Sequence, residues 1–173
     1  QPRPVTGFAK SETWDNPFMG RLFNFWQAIP LRRGEADVGA MRKAIQLLNA
    51  GKIIAVSPEG TRSGDGRLRK GIPGVVLLAL NSSAPLLPLV YYGGESLRPN
   101  LMRLRRTDFR IRVGRPFHLD SQGVKITRQV RQQMVDEIMF ELAALLPAQY
   151  RGVYADLDLA STNFLRFVAE DGK

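Results

Sequence analysis

The sequence contains no cysteine and one histidine, His118. The first absence removes thiol nucleophiles, disulfides and Cys-based zinc sites, and the second removes any site that needs two imidazoles. Long apolar runs are missing as well. The longest strictly apolar run covers residues 75–80, far short of the roughly 20 residues that a membrane-spanning helix needs. There is no GxSxG nucleophile elbow, and no cluster of metal-ligating residue types. GDGRLR matches only part of GxGxxG, and GDGRLRKG lacks the GK[ST] ending of a P-loop, so dinucleotide and P-loop binding are poorly supported. No internal repeat, low-complexity segment or linker divides the chain, and a single domain over residues 1–173 is expected. The chain opens on Gln1 with no signal-peptide pattern, which gives the expectation of a fragment or a processed chain.

What is present is basic and apolar enough to fold. Of the 173 residues, 44% are hydrophobic, and 25 Lys and Arg against 16 Asp and Glu give a net charge of +9. That balance implies an anionic partner: nucleic acid, an acidic membrane surface or a phosphorylated substrate. The charge is uneven. Residues 98–115 hold seven Arg and one acid, Asp108, while residues 62–70 add Arg62, Arg67, Arg69 and Lys70 against Asp65. The tail after Gly152 is acidic.

Periodicity predicts alternating strands and helices. Residues 5–9 read as a strand. Asn16-Pro17 opens a helix, with Asn at the N-cap and Pro at the first helical position, whose apolar residues run from Phe18 to Ile29. Two readings of that helix stand: one packed in a core, or one whose Trp and Phe face lipid. Residues 36–50 read as a helix with Val38, Met41, Ile45 and Leu48 on its apolar face and Gly51 as its stop. Residues 52–57 read as a buried strand, 71–81 as a short apolar helix, and 86–92 as a strand ended by Gly93-Gly94. Residues 109–113 alternate as a half-exposed strand with Arg110 and Arg112 on one face. Ile126, Val130, Met134, Ile138 and Leu142 mark a long helix ended by Pro147. The fold class is α/β, with a mixed, partly parallel sheet flanked by helices. His118 reads as a structural residue in a turn.

The most informative segment is IIAVSPEGTRSGDGRLRKG, residues 53–71. A hydrophobic strand runs into a loop, and loops at strand ends of α/β sheets are where ligands tend to bind. Gly60 allows close approach to the backbone. Thr61 offers a hydroxyl, and Arg62 a planar fork for two phosphate oxygens. Glu59 would orient Arg62 or a substrate hydroxyl, and Lys70 adds a cation. The plainer reading is a solvated turn with incidental charge.

VSPEGTRS resembles the phosphate-binding motif of the glycerophospholipid acyltransferase family, which includes the 1-acylglycerol-3-phosphate acyltransferases. Other segments are similar to that family in the same order. GFAKSETWDNPFMGRLFNFWQAIPLRR (7–33) ends in an Ile-Pro-x-x-Arg motif on Arg33, and GRLRKGIPGVVLLAL (66–80) is like the family's Lys-Gly helix. APLLPLVYYG (84–93) carries Pro88 at the place of a later proline motif, and FRIRVGRPF (109–117) is like the last strand and Gly-x-Pro turn. The resemblance implies a glycerolipid acyltransferase-like fold. It also implies transfer of an acyl chain from acyl-CoA or acyl-carrier protein to a lysophospholipid such as 1-acylglycerol 3-phosphate, in phospholipid biosynthesis. Arg33, Glu59, Gly60, Thr61, Arg62 and Lys70 would then form the substrate site, with no metal or redox cofactor.

The family's catalytic motif is His, four residues, then Asp, with His as general base and Asp holding its imidazole. The residue five beyond His118 is Gly123, and the motif occurs nowhere in the chain. The base is therefore expected upstream of Gln1, and the 173 residues alone are expected to be inactive. The Arg-rich run has two readings: a solvated basic surface, or adhesion to anionic lipid headgroups, with Leu97, Leu101, Met102 and Leu104 interspersed for interfacial insertion. A membrane-associated protein on the cytoplasmic side follows from the second. A non-catalytic anion-binding membrane module is the alternative. A nucleic-acid binder is another, but no nucleic-acid motif is present and aromatic residues are not interleaved with these Arg.

Overall fold

A computed structural model describes residues 3–32, 37–61, 63–95 and 97–169. Within these, the chain groups into two compact units.

The first unit takes residues 1–57 and 77–84. Its sheet is three-stranded and parallel, with β1 (Val5–Lys10) between β2 (Ile29–Leu31) and β3 (Ile53–Ala55). Helix α1 (Pro17–Phe25) links β1 to β2, and α2 (Val38–Asn49) links β2 to β3. Strands β1 and β3 approach so closely that a Cβ on Gly7 would lie 2.9 Å from the Ala55 carbonyl oxygen. Asn16 caps α1 as its sequence predicts, its Oδ1 accepting from the backbone N–H groups of Phe18 and Met19 at 3.0 and 3.1 Å. Asp37 does the same for α2 through Ala40 N at 2.9 Å, and Gly51 ends that helix at φ +79°.

Several expectations need correction. Helix α1 stops at Phe25 because Gln27 turns left-handed at φ +55°, and Ile29 belongs to β2. Only Gly20 of α1 is buried; Phe18 and Phe25 are 76% and 81% exposed, so the core-packed reading fails for them. The buried stripe of α2 is Ala40, Ala44 and Leu47, one position off the larger residues, because small side chains let the helix sit close to the sheet. Those three pack with Ile29 and Leu78 to form this unit's core. Strand β3 is an edge with Ile53 46% exposed, not a buried strand. Its apolar composition signals strand formation without signalling two covered faces.

The second unit takes residues 58–76 and 85–173. Helix α3 (Gly74–Ser82) gives its first residues to this unit and the rest to the first. Strands β4 (Leu89–Tyr92) and β5 (Arg110–Val113) pair antiparallel, as do β6 (Phe117–Leu119) and β7 (Leu165–Phe167). The parallel pairs and the antiparallel pairs therefore lie in separate small sheets. Strand β4 begins later than its apolar run because Pro85 and Pro88 lack the N–H a ladder needs; Leu86 makes an isolated bridge to Phe117. Pro88 and Gly114 meet, with Gly114 N donating to the Pro88 carbonyl at 2.9 Å. His118 sits in β6 opposite Arg166, in a strand rather than a turn.

The core of this unit is Val90, Met139, Leu142, Ala143, Leu146 and Tyr154. Four of these come from α5 (Arg128–Leu145) and its C-cap, and the helix starts on the Thr127 cap, whose Oγ1 accepts from Val130 N at 3.2 Å. The helix also buries one charge. Glu137 is 1% exposed; its Oε1 accepts from Ser161 Oγ and Asn163 N at 2.8 and 3.1 Å, and its Oε2 from Phe164 N at 2.9 Å. This carboxylate fastens the acidic tail and sets up β7. A short helix, α4 (Leu97–Met102), lies between β4 and β5. Among the described residues no helix is long and apolar enough to cross a membrane.

Three donors converge on Glu137, and hydrogen bonds to a charged acceptor are worth about 1.5–3 kcal/mol. Glu137→Ala is expected to lower the unfolding free energy by about 2–4 kcal/mol in a denaturant titration. Glu137→Gln keeps one good acceptor and should lose less.

Candidate functional site

The loop from Pro58 to Ile72 follows β3 in the chain and belongs to the second unit. Four glycines at 60, 64, 66 and 71 give it little intrinsic order. It is closed at the neck, where Ile72 N donates to the Pro58 carbonyl at 2.8 Å. One step in, Arg69 N donates to Glu59 Oε2 at 3.0 Å. At the far end Arg67 N donates to Asp65 Oδ1 at 3.2 Å, which folds a turn through Gly66 at φ +73°.

Two anchors tie the loop to the rest of the unit. Leu68 N donates to the Tyr150 carbonyl at 2.9 Å, and the Leu68 carbonyl accepts from Val153 N at 3.2 Å. A Cβ on Gly152 would lie 1.9 Å from the Leu68 oxygen, at a residue that also has φ +55°, so this approach requires glycine. The second anchor is Gly71. Its N–H donates to Tyr154 Oη at 3.1 Å, and Tyr154 Oη donates to Asp136 Oδ1 at 2.7 Å. Gln132 Nε2 completes the network, donating to Asp136 Oδ1 at 3.0 Å and reaching the Gly71 carbonyl at 3.4 Å.

Of the six residues singled out in the sequence, Glu59, Gly60, Thr61 and Lys70 share this loop. Arg33 and Arg62 lie outside the described residues. Gly60 and Thr61 are exposed, and Gly60 holds φ +66°. Lys70 is exposed and lies between the two anchored residues Leu68 and Gly71. Glu59 is half-buried, and its carboxylate accepts from the backbone of Arg69, tying the two sides of the loop. Burial raises the Glu59 pKa above the ordinary carboxylate value, against the opposing pull of the Arg69 N–H and the Arg69 charge. Two surface grooves of about 380 Å³ lie elsewhere in this unit, one beside α5 and one beside α4. Among the described residues no group of three His, Asp or Glu side chains could hold a metal ion.

Tyr154, Asp136, Gln132 and Gly152 were not legible as site residues. Tyr154 lies 83 positions from Gly71, and no local spacing announces that contact. In chemical terms the loop has an exposed rim of backbone, hydroxyl and cations, and a phenol braces it at Gly71. Such a rim suits an anion.

Two outcomes follow from this bracing. Tyr154→Phe removes the acceptor for Gly71 N–H and should lower stability by about 1–3 kcal/mol, with faster amide exchange at Gly71 by NMR. Burial, first of all, pushes the Tyr154 phenol far above its ordinary range. The folded state therefore holds the phenolic proton more tightly than the unfolded state, whose phenols titrate near about 10. That stability is fully present below pH of about 10 and falls as pH rises beyond it; the alkaline slope should be absent in Tyr154→Phe.

The pattern of the family described as Acyltransferase matches residues 1–92. A 1-acyl-sn-glycerol-3-phosphate acyltransferase of Limnanthes alba is 31% identical over 127 residues, 71% of this chain and 45% of that protein. A protein of the same name from Bacillus subtilis is 29% identical over 118 residues, 68% of this chain and 56% of that protein. The chain thus spans about half the length of these relatives. The crystal structure of the 1-acyl-sn-glycerophosphate acyltransferase PlsC from Thermotoga maritima shares the fold. Its TM-score is 0.56 at 24% identity, over 82% of this chain and 56% of that one. The match over residues 1–92 takes in both the Ile-Pro-x-x-Arg segment and the Glu-Gly-Thr-Arg loop, and the chain belongs to the acyltransferase family.

Proposed function

We propose that this chain is part of an enzyme that moves an acyl group from a thioester, acyl-CoA or acyl-carrier protein, to the free hydroxyl of a lysophospholipid in phospholipid biosynthesis. The simplest acceptor is 1-acylglycerol 3-phosphate. One observation carries the reading: the Glu59-Gly60-Thr61 turn is exposed, has a left-handed glycine, and is held shut by Glu59 on Arg69 N. That leaves a backbone, a hydroxyl and neighbouring cations facing solvent, as recognition of a phosphate monoester requires. The names of the relatives support the acceptor class.

In this reading Arg62 supplies the fork that grips the acceptor phosphate, Thr61 and the Gly60 backbone assist, and Lys70 adds charge. Glu59 keeps the loop closed so that these groups hold their places. Arg33 enters on its motif alone, as a further guanidinium for an anionic substrate. The acceptor oxygen attacks the thioester carbonyl carbon; a C–O bond forms, the C–S bond breaks, and the hydroxyl proton passes by way of a base to the departing thiolate. The balance needs no metal and no redox group. The base is assigned to a His-x-x-x-x-Asp segment outside these 173 residues, since His118 is followed at the required distance by Gly123. Water-soluble thioester donors support a place on the cytoplasmic side of a membrane, with the lipid acceptor held in an anionic bilayer.

The test uses the protein extended by the segment that would carry the base, a labelled acyl-CoA, and acceptors with and without phosphate. Arg62→Ala should lower kcat/KM for the phosphorylated acceptor about 10–150-fold, the loss of about 1.5–3 kcal/mol of charge-assisted hydrogen bonding. Use of the unphosphorylated acceptor should hardly change. Equal loss on both acceptors would remove the phosphate-clamp role. Absence of any transfer, with lysophosphatidate binding retained, would favour the non-catalytic anion-binding module.

Glu59→Gln separates loop closure from charge. Its amide oxygen still accepts from Arg69 N, so stability at neutral pH should be equal or slightly higher. Glu59 has a raised pKa in the fold. Its contribution is therefore present below the unfolded carboxylate pKa and lost as pH rises through the folded one. Urea titrations from acid to neutral pH should show that slope in the parent and not in the variant.

A further inference from the structure

The β4–β5 ladder has an unusual outer face. Register pairs Leu89 with Val113 and Tyr91 with Ile111, and strand alternation puts these four side chains on one side. All four are more than half exposed. The opposite side carries Val90, which is in the core, and Arg112, whose guanidinium lies over the Tyr92 ring and donates to the Leu145 carbonyl at the end of α5. The alternation therefore sets an exposed arginine against a helix C-terminus that favours cations, and puts the aliphatic residues on the other side.

The apolar surface continues beyond the ladder. Phe109 stacks on Tyr91 with ring centroids 5.6 Å apart. Phe109 also lines a groove of about 380 Å³ with Leu97 and Leu101 of α4. Met102, the last residue of α4, and Leu104 just beyond it are 84% and 94% exposed. Leu104 is left-handed at φ +52°, a conformation that Gly or Asn fills far more readily than leucine. The turn is nevertheless built. Arg105 N donates to the Asn100 carbonyl at 2.8 Å, and Asn100 Nδ2 donates to the Arg106 carbonyl and Thr107 Oγ1 at 3.3 and 3.2 Å. A leucine held in an unfavourable backbone conformation at a fully exposed tip is a poor arrangement in water. Arg103, Arg105 and Arg106 surround it, all exposed, and the only acid between 98 and 115 is Asp108.

We infer that this tip and the outer face of β4–β5 form a docking surface for an anionic phospholipid bilayer. Met102 and Leu104 enter the acyl boundary, the three arginines meet headgroup phosphates, and the Tyr91–Phe109 stack lies at the interface. The occupant follows from the charge, which is complementary to anionic lipid, and from the shape: an exposed apolar tip ringed by long cationic side chains fits a fluid interface, where arginines keep their heads at headgroup level. The inference rests on the reading of a lipid acceptor given above, but it is tested by partition, which a chain without transferase activity would still show.

The experiment measures co-sedimentation of the purified chain with vesicles of mixed phosphatidylcholine and phosphatidylglycerol, and of phosphatidylcholine alone. The chain should partition onto the mixed vesicles, and salt should weaken it. Arg103→Gln/Arg105→Gln/Arg106→Gln should weaken partition on the order of a hundred-fold, at about five-fold per cation. Met102→Ser/Leu104→Asn should weaken it at least ten-fold with no loss of thermal stability, because Asn suits the backbone at 104. Equal partition of parent and variants, or no partition of the parent, overturns the proposal. So does a parent that self-associates in sedimentation velocity and becomes monomeric on Met102→Ser/Leu104→Asn without binding vesicles.

Discussion

The loop from 58 to 72 has its order imposed from behind, and the placing of Glu59, Gly60, Thr61 and Lys70 depends on that. Its four glycines would leave it free in an isolated chain. What fixes it is close backbone approach at two points. At Gly152 no Cβ fits beneath the Leu68 carbonyl, and at Gly71 a Cβ would lie 2.7 Å from Met139 Cγ and 3.0 Å from Val135 Cγ2. Each contact removes side-chain volume so that main-chain groups meet partners directly. Glu59 belongs to that frame through Arg69 N, while Gly60, Thr61 and Lys70 stay exposed.

Helix α5 is where these constraints meet. Neighbouring residues Asp136 and Glu137 have different tasks. Asp136 receives the Tyr154 hydroxyl and so braces Gly71, while Glu137 collects three donors from the tail. Tyr154 belongs to the segment between these points and packs edge-on against Phe140 at 5.1 Å. The tail after Gly152, marked in the sequence only by its acidity, is thus part of the support of the basic loop. A buried carboxylate with all its donors in place is a specifying feature more than a stabilising one, since the cost of burying the charge offsets much of what the hydrogen bonds contribute.

Local chemistry was legible in the sequence. Asn16-Pro17, Gly51 and the end of β5 at Val113 fall where capping, left-handed glycine and alternation place them, because each depends on a few adjacent residues. Misreadings arose where apolar composition was equated with burial. Strand β3 is apolar and yet an edge, and α1 displays Phe18 and Phe25 to solvent. In α2 the fully buried stripe is Ala40, Ala44 and Leu47, with Met41 and Ile45 only partly buried against the same core. The candidate site was half legible. Glu59-Gly60-Thr61 and Lys70 could be named because motif residues are adjacent or nearly so. Tyr154 and Gly152 could not, because their partners lie more than 80 residues away and carry no pattern of their own.

The net charge of +9 divides among distinct structural settings rather than forming one basic field. Arg112 and Arg115 lean over Tyr92 and Phe167, with ring distances of 5.7 and 5.3 Å, and so pack against the fold. Arg103, Arg105 and Arg106 ring an apolar tip, and Lys70 stands on the anchored loop. A uniform basic surface would attract any polyanion, nucleic acid included. Cations interleaved with exposed leucine, methionine and stacked aromatics discriminate further, because a duplex backbone offers nothing for the apolar side chains to enter. An anionic bilayer offers both a charged plane and an oily interior. A substrate carrying a phosphate on an acyl chain has the same two-part character, so the proposed membrane face and the proposed headgroup loop would select for one chemistry at two scales.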